Sequence, residues 1–399
     1  MEQLLIIGGG MASARLLLEL AERGFRRPVT VISDEETLGY NRVLLPDFLG
    51  GQCTLDALND PRLAKLDLDL TCVYGTRAAA IDCDHRTVET SDGDRHSYRQ
   101  CVLAMGSRVP LPDLPGMDKA GVGVLRSLAD ALRLDDELEP DQAAVVVGGG
   151  LLGLEAARAL LARGLRVTVV HRNPRLLNRQ VDRRASEALA AQLEALGLSL
   201  RLGDTVQALR GDSRVREVLL TSGATLPAHR VLFATGSVPN TEFIQASGYP
   251  AATGIQTDPY LRATEFGDGH CFAVGECALV NGDHFALVEP VYAQAAALAS
   301  VLTGNRQPFQ ASTPSTRLKV AGIELFSAGN PAALEADPRV ADVIVEDRSA
   351  HVYRRLFFTE QRLSGAVLLG NTQGARNIQT HLGQLCDATG QRDALAFGL

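Results

Sequence analysis

The chain has 399 residues, 46% of them hydrophobic, and a formal net charge of −8 at pH 7. This length predicts two or three domains, and the hydrophobic fraction is ordinary for a globular protein. The acidic balance argues against a nucleic-acid partner, which requires a basic face. The seven cysteines form no C-x-x-C pair and no metal-like spacing, so we expect no metal site and no redox disulfide of adjacent cysteines.

The N-terminus and the apolar segments predict a cytoplasmic protein. Glu2 stands where a signal peptide needs a basic region, and the first apolar run leads directly into glycines. The best candidate for a membrane span is interrupted by Glu155 and Arg158. We therefore expect neither export nor a membrane partner.

The first structural signal is a glycine turn that follows an apolar strand. Leu4–Ile7 is the predicted strand, residues 8–13 read GGGMAS, and a helix over 14–22 and a strand over Val29–Ile32 follow. In such a β-α-β unit the glycines permit a sharp turn and let the backbone approach a pyrophosphate at the helix N-terminus. The candidate contacts are Gly8, Gly10, Met11 and Ala12.

The residues after the second strand indicate which dinucleotide this unit binds. Asp34 and Glu35 stand about 20 residues past the glycines, where an acid accepts the ribose hydroxyls. They fit an adenosine ribose without a 2′-phosphate, as in FAD or NAD. Ser13 replaces the third glycine of the fingerprint, and its small side chain still permits close packing of the helix on the strand.

A second unit of the same kind lies farther along the chain. It consists of a strand over 145–147, the turn GGGLLG, a helix over 154–162 and a strand over 167–170. The candidate contacts are Gly148, Gly150, Leu151, Leu152 and Gly153. No acid follows the second strand, where Arg172 is either a contact for a 2′-phosphate or an exposed surface residue, so NADH and NADPH both stay open. Two dinucleotides in one chain predict electron transfer between them.

Two similar segments predict where the chain passes between domains. Residues 102–107 and residues 231–237 each read as a buried strand that runs into a Gly–Pro turn. We predict a first dinucleotide domain in two parts, over 1–111 and 237–309, with the second dinucleotide domain over 112–236 inserted between them.

The end of the chain predicts a third, smaller domain over 310–399. A linker over 308–314 precedes short alternating runs over 341–345, 356–359 and 366–369. The predicted fold class is therefore α/β, with two Rossmann-like dinucleotide-binding domains plus a small C-terminal α+β domain. The C-terminal domain has a net charge close to zero. Whether this domain docks a partner or forms a homodimer stays open.

These motifs resemble the FAD-dependent pyridine nucleotide oxidoreductases over nearly the whole chain. The resemblance rests on both glycine turns, on A-x-G-S-x-x-P over 104–110, on A-T-G-S-x-P-N over 234–240 and on FAVGECA over 272–278. It implies that the first domain binds FAD and that the second binds NADH or NADPH. Glu276 is implied to bind the flavin ribityl chain. The turn glycines of these motifs are Gly106, Gly236 and Gly275.

Further strings are similar to one branch of this family. They are GYNRVLL over 39–45, NRQVD over 178–182, GECA over 275–278 and LKVAGIELFSAG over 318–329. The branch comprises the flavin module of assimilatory nitrite reductase large subunits and the electron-transfer subunit of assimilatory nitrate reductases. Rubredoxin and ferredoxin reductases are close relatives. Pro46-Asp47 stands where rubredoxin-type relatives often have Ser-Lys beside the flavin, so the role of that lysine does not carry over.

The resemblance implies an oxidoreductase that passes electrons from NADH or NADPH through FAD to a separate redox metalloprotein. That acceptor is a component of nitrate or nitrite reduction or, alternatively, rubredoxin or ferredoxin. A non-catalytic, flavin-dependent regulator is a third alternative.

Arg42 is a candidate donor to the FAD pyrophosphate. We expect the catalytic candidate Glu155 on the first turn of its helix, where the dipole favours it. In the resembled family the matching glutamate lies between nicotinamide and flavin.

Overall fold

The structure, a computed structural model, describes residues 3–267, 269–305, 307–311, 315–320, 322–386 and 389–398. Residues 312–314 of the predicted linker and Ala321 of the branch string lie outside this part of the chain. No helix in the described ranges is long and apolar enough to cross a lipid bilayer. The chain forms two compact units: unit 1 is Met1–Leu44, Thr54–Pro110 and Ser237–Ser312, and unit 2 is Leu45–Cys53, Leu111–Gly236 and Thr313–Leu399.

Both units contain β-strands and α-helices. In chain order the strands are β1 Leu4–Ile7, β2 Val29–Ile32, β3 Leu70–Val73, β4 Ala78–Asp82, β5 Thr87–Thr90, β6 Arg95–Ser97, β7 Gln100–Leu103, β8 Ser107–Arg108, β9 Val122–Gly123, β10 Ala143–Val147, β11 Arg166–His171, β12 Ser199–Leu202, β13 Val206–Arg210, β14 Glu217–Leu220, β15 Thr225–Pro227, β16 Arg230–Phe233, β17 Val238–Pro239, β18 Ile255–Thr257, β19 Cys271–Ala273, β20 Ala278–Val280, β21 Asp283–His284, β22 Ser315–Val320, β23 Ile323–Ala328, β24 Ala341–Asp347, β25 Val352–Thr359 and β26 Arg362–Leu369. The α-helices are α1 Met11–Glu22, α2 Leu45–Leu49, α3 Leu128–Glu137, α4 Leu151–Ala162, α5 Arg183–Ala195, α6 Glu242–Ala246, α7 Val288–Leu302, α8 Pro331–Ala336, α9 Ala375–His381 and α10 Thr389–Phe397.

Unit 1 is built on a parallel sheet with the strand order β3-β2-β1-β7-β19. Alternate residues of β1 point to opposite faces, and all four are buried. Leu4 and Ile6 pack in one cluster with residues of α1 and α7, such as Leu17 and Leu298. Burial of each such leucine contributes about 1.5–3 kcal/mol. With neighbours on both sides of the central strand, the carboxyl end of β1 is the position where parallel sheets bind ligands.

Unit 2 repeats this plan and adds antiparallel sheets. Its parallel sheet has the order β12-β11-β10-β16-β9, with β10 at the centre. Its largest antiparallel sheet has the order β22-β23-β26-β25-β24, and a smaller antiparallel sheet consists of β13, β14 and β15. The predicted fold class, two Rossmann-like domains with a small C-terminal α+β domain, is confirmed.

Both helices after the glycine turns begin earlier than the sequence pattern predicted. Helix α1 begins at Met11 and α4 at Leu151, immediately after Gly10 and Gly150, whose extended backbones cap the two helices. The third position of each turn therefore lies inside its helix. The expectation that Glu155 stands on the first turn is wrong, because it is the fifth residue of α4 and lies on the second turn.

The segment Leu45–Cys53 belongs to unit 2, although it was predicted to lie in the first dinucleotide domain. Leu49 explains this, because it packs in the unit 2 core with Leu134 and Leu160. The unit boundaries at 110/111 and 236/237 lie within one residue of the predicted crossings, and the boundary at 312/313 lies three residues after the predicted one at 309/310. The four-part domain division itself stays a prediction.

Candidate functional site

The first glycine of each turn lies against a carbonyl group of the neighbouring strand. Gly8 has φ +106°, and a Cβ there would lie well under 3.0 Å from the Ala104 carbonyl oxygen. Gly148 has φ +132°, and a Cβ there would meet the Ala234 carbonyl in the same way. Both the left-handed backbone and the close approach exclude a side chain, so these positions require glycine.

The second glycine of each G-x-G-x-x-G/S fingerprint, Gly10 in unit 1 and Gly150 in unit 2, faces free space. A Cβ on Gly10 would meet only Arg42, whose Nη2 would be 3.8 Å away, and a Cβ on Gly150 would meet nothing within 4 Å. Met11 and Ala12, like Leu151 and Leu152, begin the helices, so their amide groups are free of helical partners. Open space beside free helix amides is what a pyrophosphate needs. The residues present therefore fit a dinucleotide in each unit.

The third position differs between the two units. A Cβ on Gly153 would collide with the Gly148 carbonyl. In unit 1 the equivalent residue is Ser13, which is fully buried and donates its hydroxyl to the Gly8 carbonyl at 2.5 Å. The serine thus fixes the first turn by a hydrogen bond, and the glycine fixes the second turn by close contact.

Of the two acids predicted for unit 1, Glu35 lies with Arg42. The Glu35 carboxylate accepts a hydrogen bond from the Tyr40 hydroxyl at 2.6 Å and forms an ion pair with Arg42. Asp34 is half exposed and pairs with Arg77 at 3.1 Å. Since Arg42 also faces the open space at Gly10, Glu35 and Arg42 form one charged group beside the turn.

Gly106, Gly275 and Glu276 stand at the ends of β7 and β19, the strands that continue the sheet from β1. The Ser107 hydroxyl donates to the Glu276 carboxylate. The Gly275 amide donates to Oε1 of the fully buried Gln294 at 2.8 Å, and a Cβ on Gly275 would lie 3.1 Å from that of Ala12. Gln294 was not predicted, because a glutamine within an apolar helix gives no local signal.

In unit 2 the end of β11 carries His171 and Arg172. Burial, opposed by a hydrogen bond with Asn178, lowers the pKa of His171 below its usual 6.5, and the neighbouring Arg172 guanidinium lowers it further. The imidazole is therefore neutral at pH 7. The ring lies against the glycine turn, because a Cβ on Gly149 would be 2.9 Å from His171 Cγ. Arg172 is exposed.

Gly236 follows β16, the other neighbour of β10. Its φ is +105°, and a Cβ there would meet nothing within 4 Å. It therefore leaves further open space beside the second glycine turn.

Glu155 belongs to a charged group that the sequence did not reveal. Burial raises the pKa of Glu155 to about 7; Arg158, one turn along α4, opposes this rise, and Asp47 adds to it. Arg158 is buried and pairs with Asp47, 111 residues away in sequence. The glutamate is therefore held beside the ion pair of the buried Arg158 with the partly exposed Asp47, and its protonation is balanced near neutral pH.

Comparisons with known proteins identify two matching families. Residues 2–300 match the family described as pyridine nucleotide-disulphide oxidoreductase, and residues 314–384 match the family described as the rubredoxin NAD+ reductase C-terminal domain. Together the matches include most of both units.

Two curated relatives come from Bacillus subtilis. The chain is 35% identical over 384 residues to a nitrite reductase (NAD(P)H), and the aligned region covers 94% of this chain and 46% of that protein. It is 32% identical over 380 residues to an assimilatory nitrate reductase electron transfer subunit, which covers 94% and 48%. The chain therefore spans about half the length of these relatives. A solved ferredoxin reductase from Rhodopseudomonas palustris has a TM-score of 0.87 and 25% identity, and covers 99% of this chain and 100% of that one.

Gly148 and Gly150 of the second turn can be tested as a pair. Gly148→Ala should lower the free energy of unfolding by about 2–4 kcal/mol, because the methyl group strains the backbone and collides with the Ala234 carbonyl. Gly150→Ala should change it by less than about 1 kcal/mol but weaken the binding of a nicotinamide dinucleotide by roughly tenfold, because its methyl group fills the open space. Denaturant unfolding and nucleotide titration measure both effects. Unchanged nucleotide affinity in Gly150→Ala would contradict the placement of the site.

Proposed function

We propose an electron-transfer function for this chain, which belongs to the pyridine nucleotide-disulphide oxidoreductase family. The observation that carries the proposal is the pair of matching glycine turns, each at the centre of its own parallel sheet and each open at the second glycine. FAD and a nicotinamide dinucleotide, NADH or NADPH, are the cofactors. When bound, they supply the redox chemistry, in which FAD accepts two electrons together and releases them together or singly.

We assign FAD to unit 1. The amides at Gly10, Met11 and Ala12 would face the pyrophosphate, with Gly8 holding the turn and Arg42 donating to the phosphates. Glu35 would accept from the adenosine ribose, with Asp34 as the outer alternative. Glu276, oriented by the Ser107 hydroxyl, would accept from the ribityl chain beside Gly106 and Gly275.

We assign the nicotinamide dinucleotide to unit 2. The turn from Gly148 to Gly153, with the amides of Leu151 and Leu152, would face its pyrophosphate, and Gly236 would leave room beside it. The neutral His171 and the exposed Arg172 carry no negative charge that would repel a 2′-phosphate. Glu155 is the proposed catalytic residue and would contact the nicotinamide.

The cysteines support electron transfer rather than disulfide exchange. Cys83 and Cys271 of unit 1 have sulfur atoms 3.8 Å apart, a proximity that sequence spacing did not reveal. Cys271 begins β19, whereas the candidate FAD residues follow the end of that strand. Hydrogen bonding with Cys271 and burial raise the pKa of Cys83, and burial and Asp47 raise that of Cys53. Such thiols stay protonated and are poor nucleophiles.

The proposed acceptor is a separate redox metalloprotein of nitrate or nitrite reduction, as the names of the two Bacillus subtilis relatives suggest. Rubredoxin or ferredoxin is the alternative acceptor, favoured by the match of residues 314–384 to a rubredoxin reductase domain. We place the protein in the cytoplasm, because none of the seven cysteines, all of which lie in the described ranges, forms a disulfide. The C-terminal domain is proposed to dock the acceptor or to form a homodimer.

The function is tested by anaerobic stopped-flow of the flavin-loaded protein, with NADH and NADPH in parallel. We expect rapid bleaching of the flavin absorbance with at least one nucleotide, followed by reoxidation with ferricyanide. Turnover with rubredoxin would favour the rubredoxin reductase, whereas ferricyanide activity without rubredoxin activity would favour the nitrate or nitrite system. A flavin that neither nucleotide bleaches would leave only the flavin-dependent regulator, and a protein that binds no flavin would overturn all three alternatives.

The protonation of Glu155 makes a pH-dependent prediction. A carboxylate stabilises the positive charge that develops on a nicotinamide ring, so the limiting rate of flavin reduction should rise roughly tenfold from about pH 6 to about pH 8. Glu155→Gln is always neutral, so its rate should stay at the low-pH level. The exposed Glu194 of α5 provides the control Glu194→Gln, which should keep the wild-type profile.

Glu155 should also make the stability of the protein depend on pH, with a sign opposite to that of the reduction rate. The pKa of Glu155 is about 7 in the folded chain against 4.5 for the ordinary group, so the folded state binds more protons between these values. The free energy of unfolding should therefore fall as pH rises through this window, and this component should be absent from Glu155→Gln. Thermal unfolding at several pH values measures it. Identical slopes in the two proteins would contradict the buried environment assigned to Glu155.

A further inference from the structure

The segment that joins β11 to α5 lies directly behind the second glycine turn. We call residues 172–182 the backing segment. The Leu177 amide donates to the Gly149 carbonyl at 3.0 Å, and a Cβ on Gly149 would lie 2.6 Å from Leu176 Cδ2. Both leucines are buried, and Leu177 holds an unfavourable left-handed φ of +47°. The position of Gly149 therefore depends on the conformation of this segment.

The far end of the backing segment is held by the C-terminal domain. Asp182 is fully buried and caps α5, accepting from the Arg184 amide at 3.0 Å. The same carboxylate oxygen accepts from the Tyr353 hydroxyl at 3.0 Å and lies 3.5 Å from Arg355 Nη1. Burial and the adjacent Asp182 raise the pKa of Tyr353, so its hydroxyl remains a donor at neutral pH. A buried carboxylate that lost these partners would be strongly destabilised.

Further contacts from the C-terminal domain reach the same segment and the start of α5. Glu335 of α8 forms ion pairs with Arg175 and Arg355, each at 3.1 Å, and accepts from the Arg183 amide at 3.0 Å. The Ser327 hydroxyl donates to the Gln180 carbonyl. The segment is thus held at one side by the glycine turn and at the other by side chains of the C-terminal domain.

We propose that the C-terminal domain positions the nicotinamide-dinucleotide site, and that Tyr353 and Arg355 act as positioning residues through Asp182 and the backing segment. The inference rests on the proposed assignment of the second glycine turn to NADH or NADPH. Neither side chain needs to touch the nucleotide. Each restricts the backing segment, and the backing segment holds Gly149 and its turn where the free helix amides meet the pyrophosphate.

Strand β25 offers a matched pair of substitutions. Arg354 and Arg355 are neighbours whose side chains point to opposite faces of the strand. Arg355 reaches Asp182 and Glu335, whereas the buried Arg354 donates to the carbonyls of Ala396 and Asn371 within the C-terminal domain. Loss of either arginine should destabilise the domain, but only Arg355 connects it to the backing segment.

The test uses the full-length, flavin-loaded protein. Tyr353→Phe removes one hydroxyl and keeps the ring, and Arg355→Gln removes the charge. Both should raise the Kd for NADH or NADPH by roughly tenfold, while the flavin content and the limiting rate of flavin reduction stay within about twofold of wild type. Arg354→Gln should lower the melting temperature without changing that Kd. Hydrogen–deuterium exchange should be faster in residues 172–182 of Tyr353→Phe than in the wild type.

The outcomes separate this inference from the proposed function. A wild-type protein whose flavin neither nucleotide reduces would overturn the function itself. A wild-type protein that is reduced normally, with unchanged nucleotide Kd in Tyr353→Phe and Arg355→Gln, would overturn the inference and leave the contacts a structural role. If Arg355→Gln does not fold, Tyr353→Phe decides the matter alone. If Tyr353→Phe also fails, unchanged exchange of residues 172–182 when NADH binds the wild type would overturn the inference.

Discussion

The contact between each glycine turn and the adjacent strand is the constraint on which both candidate sites depend. The α carbons of Gly8 and Gly148 lie so close to the carbonyls of Ala104 and Ala234 that only hydrogen fits between them. This approach bends the chain sharply at the end of the central strand. The following helix can then begin at once, with its free amides at the sheet edge beside the open space at Gly10 or Gly150.

The two units share the backbone geometry of the glycine turn but differ in the side chains around it. The unit 1 turn is flanked by the ion pair of Glu35 and Arg42, and the Tyr40 hydroxyl donates a hydrogen bond to the same Glu35 side chain. The unit 2 turn is flanked by the neutral His171. The backbone geometry therefore provides the pyrophosphate site in both cases, and the side chains after the second strand distinguish the ligands.

The C-terminal domain is more than an addition to a dinucleotide fold. The buried carboxylate of Asp182 takes hydrogen bonds from its own helix and from Tyr353, so the helix start and the C-terminal sheet are stabilised by the same group. If nucleotide binding depends on these contacts, a partner protein that alters them by docking on this domain changes the affinity for the nucleotide. The nucleotide must then change the affinity for that partner by the same factor. Docking of that protein and nucleotide binding would then be thermodynamically linked.

The sequence by itself determined the parts that depend on neighbouring residues: both β-α-β units, the glycine positions and three of the strands of the C-terminal domain. A strand, a turn and a helix are encoded locally, since apolar spacing and glycine placement act over a few residues. It placed the start of α4 three residues late, because leucines and a glycine at the turn do not distinguish loop from helix. Only the tertiary structure paired Asp47 with Arg158, Asp182 with Tyr353, and Cys83 with Cys271. These partners are more than a hundred residues apart, and the free energy that joins them arises from shared burial, which no local pattern specifies.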